Sequence, residues 1–136
     1  MKTPLLKLSI APSFDDGLLL TLMENRGKDK STYVLKYEEV ERQSTAGSEA
    51  VFTLSEEIKV TNQDAERILQ ILKQASISVA PEYKLSVDGI SYELIVSSGL
   101  NEAHYKWWET IPKGWETLAE ISHAMLRIVG KPPIPS

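Results

Sequence analysis

The chain has no cysteine. That excludes thiol nucleophiles, disulfide staples and thiolate metal sites, and it suits a reducing compartment. Histidine is nearly as scarce, with two in 136 residues. His104 falls in a strand-like segment and His123 in a helix-like one, so they do not pair as metal ligands or as base and orienter. His104 could be drawn with Glu102 and Glu109 as a metal site, but a surface strand of mixed polar residues accounts better for the three. Only seven glycines occur, each in a turn or cap position. There is no phosphate-cradling glycine loop and no Gly-x-Ser-x-Gly. No catalytic residues, metal or cofactor are expected, and the chain does not read as an enzyme. Basic excess is missing too. The formal net charge is −4, without the basic stripe that phosphate binding requires, so no nucleic-acid partner is expected. Met1 to Lys7 hold one apolar pair, no long apolar run and no small-residue cleavage site. Neither a signal peptide nor a membrane span is expected, and the expected compartment is the cytoplasm.

What is present is an ordinary globular composition, 42% hydrophobic and 25% charged, at the length of one domain. Leu6, Leu8 and Ile10 alternate with polar residues, predicting a strand over about Leu5–Ala11. Further strands are predicted over Leu18–Asn25, Thr32–Glu41 and Val51–Val60. Tyr33, Leu35 and Tyr37 share one face of the third. Phe52, Leu54, Ile58 and Val60 are placed on one face of the fourth. Thr61 is positioned to cap a helix whose apolar stripe runs Ala65, Ile68, Leu69, Leu72 and Ala75, and which should stop near Ile77.

Alternation resumes at Tyr83, Leu85 and Val87 and continues at Ile90, Tyr92, Leu94 and Val96. Asp88-Gly89 between the two runs predicts a tight hairpin. Glu102–Trp108 is a further strand, with His104, Lys106 and Trp108 on one face and Tyr105 and Trp107 on the other. A second amphipathic helix is predicted from about Trp115 to Val129, ended by Gly130. The order is thus ββββαβββα. Antiparallel hairpins with two helices on one face make an α+β domain over 1–130, followed by a proline-rich tail at 131–136.

Two features stand out as binding candidates. From Glu38 to Glu57 the chain carries six glutamates (Glu38, Glu39, Glu41, Glu49, Glu56, Glu57) against Arg42, a local balance of −5. Such a run is usually a solvated face. Its sharper reading, with Glu38, Glu39, Glu41, Glu56 and Glu57 as contacts, is a steering surface for a basic protein partner. Adjacent residues on a strand point to opposite faces, and Glu39 and Glu41, which share one, are expected to be wet. The second feature is the tryptophans: all three fall within nine residues around Pro112. Trp107 and Trp115 are expected to pack across a strand-to-helix corner. Trp108, on the His104 side, is the candidate partner anchor; the rival expectation, which a Trp-Trp pair beside a proline corner favours, is that the strand twists or bulges and tucks Trp108 under the helix start.

Asp88-Gly-Ile-Ser-Tyr92-Glu-Leu94, Tyr105-Lys-Trp107-Trp108, Pro112, Trp115 and Leu118 together resemble a set of small, largely uncharacterised bacterial proteins. Their shared pattern is Gly-x-x-Tyr-x-Leu, an aromatic-x-Trp-Trp strand end and Pro-x-x-Trp-x-x-Leu. The resemblance covers about Asp88–Met125, marks a fold and implies no activity. The first expectation for function is therefore a small acidic cytoplasmic bacterial binding protein, of the immunity type that neutralises a toxin domain. The alternatives are a small-molecule binder or enzyme, with a pocket between sheet and helices lined by Tyr33, Tyr37, Tyr92 and the tryptophan corner, and a self-associating adaptor joined through an open sheet edge.

Overall fold

The structure, a computed structural model, describes residues 2–12, 16–41, 52–81 and 89–135. Its elements are β1 (Lys2–Pro12), β2 (Gly17–Arg26), β3 (Ser31–Val40), β4 (Phe52–Val60), α1 (Asn62–Gln74), β5 (Ile90–Ser98), β6 (Asn101–Trp108) and α2 (Glu116–Ile128). The six strands form one antiparallel sheet in the order β4-β3-β2-β1-β5-β6. The molecule is an α+β domain. The strand expected at 83–87 lies outside the described residues, and β5 takes β1 and β6 as its two neighbours.

Strand alternation separates the two faces of the sheet. The inner face carries cross-strand rows of apolar side chains. One runs Ile58, Leu35, Leu22, Leu6, Val96 and Ala103, and the next runs Tyr37, Leu20, Leu8, Leu94 and Tyr105. Both helices close over this face and touch each other. Ala65 and Ile68 of α1 join Leu118, Ile121, Met125 and Leu126 of α2 in a single core with Leu6, Leu8, Leu20, Leu22, Leu35 and Leu94. Leu69 and Leu72 border that core, half-buried.

Local signals fix the helix ends. The Thr61 hydroxyl accepts from the Asp64 N–H at 3.1 Å, capping α1. α1 stops at Gln74, short of the expected Ile77, because Ala75 turns to extended backbone with ψ 133. The following segment is then held elsewhere: the Ser78 N–H donates to Gly114 O at 3.1 Å. α2 ends on Gly130, at φ 72, where Lys131 N–H donates to Leu126 O and Gly130 N–H to Arg127 O. This pair of bonds satisfies two terminal carbonyls and calls for the left-handed conformation that glycine adopts at least cost.

One expectation needs correction. Phe52 does not share a face with Leu54. Thr53 is an extra residue between the pairs Glu39–Leu54 and Val40–Phe52, and this bulge turns Phe52 to the outer face. The segment at 131–135 is non-helical, as expected, and it packs back on the domain. Ile134 is buried in the core, its carbonyl lies 3.2 Å from His123 Nε2, and Lys131 Nζ sits 5.7 Å from the centre of the Tyr37 ring.

Candidate binding surface

The tryptophan corner divides between core and surface. Trp107 stacks on Tyr92, with centroids 5.5 Å apart, and meets Trp115 edge-on at 6.4 Å. Trp115 also meets Tyr105 edge-on, and its indole N–H donates to Ser78 O at 2.8 Å. The Trp107 indole N–H is buried with no partner among the described residues. Trp107 and Trp115 are core residues. Trp108 stands opposite Ser91, half-buried, on the outer face.

That corner turns sharply. Glu109 has φ 62, and Thr110 N–H bonds to Trp108 O across it. The left-handed backbone is costly for a residue with a side chain. Glu109 is held there from both ends, its N–H donating to Ile90 O at 2.8 Å and its carboxylate accepting from Ile90 N–H at 3.0 Å. Gly89 lies against that carboxylate, where an added Cβ would overlap it, and has φ 135. Glu109 therefore caps the start of β5 and is not gathered with His104 and Glu102. Among the described residues, no group of three or more histidines or carboxylates is placed to hold a metal ion.

The glutamates expected to form one acidic surface are separated by the pleat. Glu38 and Glu57 lie on the outer face; Glu39 and Glu56 lie on the inner. Glu38 is only 8% exposed and sits 3.8 Å from Lys36 Nζ. Glu57 is bound by Lys2 at 2.7 Å, and that hydrogen bond holds its carboxyl below the usual value. Glu39 continues the inner row of Tyr33, Leu35 and Tyr37 and accepts from the Tyr37 hydroxyl at 2.8 Å. Glu41 is exposed beyond the end of β3. The tyrosines expected to line a pocket are instead in the core. Burial raises the pKa of Tyr33, Tyr37 and Tyr92 above the ordinary phenol value, and nearby Glu109 adds to the shift at Tyr92.

The outer face has a different arrangement, which no single segment of the sequence displays. Across the sheet from β6 to β4, its end row reads Trp108, Ser91, Ala11, Gly17, Val40 and Phe52. All six are uncharged. The aromatics stand at the two margins, with Phe52 49% exposed, and the smallest side chains lie between them. The next two rows carry the charges: Lys106, Glu93 and Glu38 in one, His104, Lys7, Lys36 and Glu57 in the other. They neutralise one another locally. His104 Nε2 lies 2.9 Å from Glu102 and Nδ1 lies 3.5 Å from Glu93, which also faces Lys106 at 3.6 Å. Both helices lie on the other side of the sheet.

No protein-family model matches the chain, and no curated protein matches it. Among the described residues, no helix is long and apolar enough to cross a membrane.

Proposed function

We propose that this chain is a protein-binding module that acts by surface contact, through the outer face of its sheet. The observation that carries the reading is the uncharged end row from Trp108 to Phe52, beside rows of balanced charge on the face opposite α1 and α2. Protein interfaces combine an uncharged, aromatic-bearing centre with a polar rim. The balance of lysines and glutamates on this face does not suit a polyanion. Immunity-type occlusion of a toxin domain is the class that fits best. It asks for a small, acidic, rigid surface and for no chemistry, and the pattern over 88–125 resembles that of small bacterial proteins. The glutamates contribute through the charge of the whole chain, since the pleat divides them.

The test uses one strand with two faces. Tagged wild-type chain is used to capture partners from the native host, beside Phe52→Glu on the outer face and Leu54→Glu on the inner edge. Capture of one defined protein by wild type and by Leu54→Glu, but not by Phe52→Glu, supports the outer face. Equal capture by both variants removes it. For the immunity class, the captured protein must be a toxin domain whose activity falls when an equimolar amount of wild-type chain is added.

A further inference from the structure

Among the described residues the sheet has two edge strands, β4 and β6, and an edge strand presents unpaired N–H and C=O groups that can template another strand. β4 carries three features that oppose pairing. Thr53 bulges it, Glu56 points a charge towards the inner face, and Lys59 points one outward. β6 carries none on its inner side. Its eight residues pair with β5 without a register shift, and the inner-facing Asn101, Ala103, Tyr105 and Trp107 are uncharged. Among the described residues, β6 pairs on one side only.

We infer that β6 docks on β6 of a second copy of this chain, antiparallel about a two-fold axis at His104. Two identical antiparallel strands related by a perpendicular two-fold must be centred on one residue facing its own copy. Centred on His104, Glu102 stands opposite Lys106 of the second copy, and Lys106 opposite its Glu102. On the inner face Tyr105 meets Ala103 of the second copy, large against small, in both directions. Shifting the centre to Tyr105 sets Lys106 against His104 and tyrosine against tyrosine. Shifting it to Ala103 leaves Lys106 beyond the strand, facing the Gly99-Leu100 turn. The charges that guard β6 against other strands are thus complementary to its own copy, which selects one partner and one register. On β4 the analogous centre, Ile58, would oppose Glu57 and Lys59. It can pair only Glu56–Val60 before α1 begins at Asn62. The perpendicular axis keeps outer face with outer face, so the pair forms one continuous sheet with six strands from each copy. This inference does not rest on the partner reading of the outer face.

Sedimentation equilibrium of the full chain across the micromolar range tests it with three variants. Lys106→Glu alone opposes glutamate to glutamate at both contacts, and Glu102→Lys alone opposes lysine to lysine. Each should weaken dimerisation by about tenfold or more. An equimolar mixture of the two variants restores both contacts and should dimerise as wild type does. Both positions are exposed, so an unchanged thermal melt certifies the fold of each variant. Glu56→Lys on β4 should leave the dimer intact. A wild-type chain that stays monomeric throughout the range overturns the inference. So does a dimer indifferent to both single variants, or a mixture that fails to recover.

Discussion

The two margins of the sheet are built by opposite means. β6 is fixed from within. Its inner face carries Trp107 and Tyr105 into an aromatic cluster with Tyr92 and Trp115, and Glu109 ties its end to β5. β4 is exposed from Phe52 to Glu57, where the Lys2–Glu57 pair ties it down, and it enters the core only at its end, through Ile58 and Val60. An aromatic cluster anchors one edge; the exposed part of the other is held by backbone pairing and one ion pair.

The sharpest way to break this comparison is truncation. Trp107→Ala should lower unfolding free energy by about 3–5 kcal/mol, the usual loss for a buried tryptophan. Phe52→Ala, at a half-exposed site, should change it by less than about 0.5 kcal/mol. Urea unfolding measures both, and similar losses would mean the edges are anchored alike. Next in size is Gly89→Ala. It brings a Cβ onto the Glu109 carboxylate at a backbone angle unsuited to alanine, and should cost about 1–3 kcal/mol by the same measurement. A smaller effect separates the two buried indoles. Trp115→Phe forfeits the bond to Ser78 O, while Trp107→Phe forfeits none. The Trp115 variant should be worse by about 1 kcal/mol, and equality would show that indole hydrogen bonding does not matter at the corner.

The smallest effect is the acid response of Glu57 on the β4 edge and, for contrast, of Glu24 at the β2–β3 hairpin. The Lys2 hydrogen bond lowers the folded pKa of Glu57, and the Ser31 side chain does the same for Glu24. A lowered carboxyl stabilises the fold above its unfolded value, near 4.5, and that contribution vanishes as pH falls through the folded value. Glu57→Gln and Glu24→Gln should therefore flatten the decline of the melting temperature below pH 4.5. Unaltered decline in both would remove charge as the device that holds this edge.

Alternation over Leu6–Ile10 and Tyr92–Val96, the Thr61 cap and the Gly130 stop were all readable from sequence. Each depends on chain-local geometry. The pleat also separates Glu38 from Glu39 and Glu56 from Glu57, so a net charge summed along the segment overstated what either face receives. Phe52 was misplaced because a one-residue bulge reverses facing without leaving a mark such as glycine or proline. Ile134 escaped notice because a lone apolar residue among prolines carries no period. The outer end row is assembled from one residue per strand, so it requires the strand order, which alternation does not encode.

That order also bears on how the chain comes together in time. β1 sits third from the β6 margin, bonded to β2 close by in sequence and to β5 far along it, Leu8 opposite both Leu20 and Leu94. Strands β1 to β4 can zip as a local meander while the rest of the chain is still being synthesised; closing β1 against β5 is a distant contact and a slower step. Until residues 90–98 emerge, the growing protein has an edge that the finished one lacks, and its side chains are Leu6, Leu8 and Ile10. The strand that becomes most enclosed is the one left longest without its second neighbour, and chaperone binding or misassembly during synthesis should concentrate there.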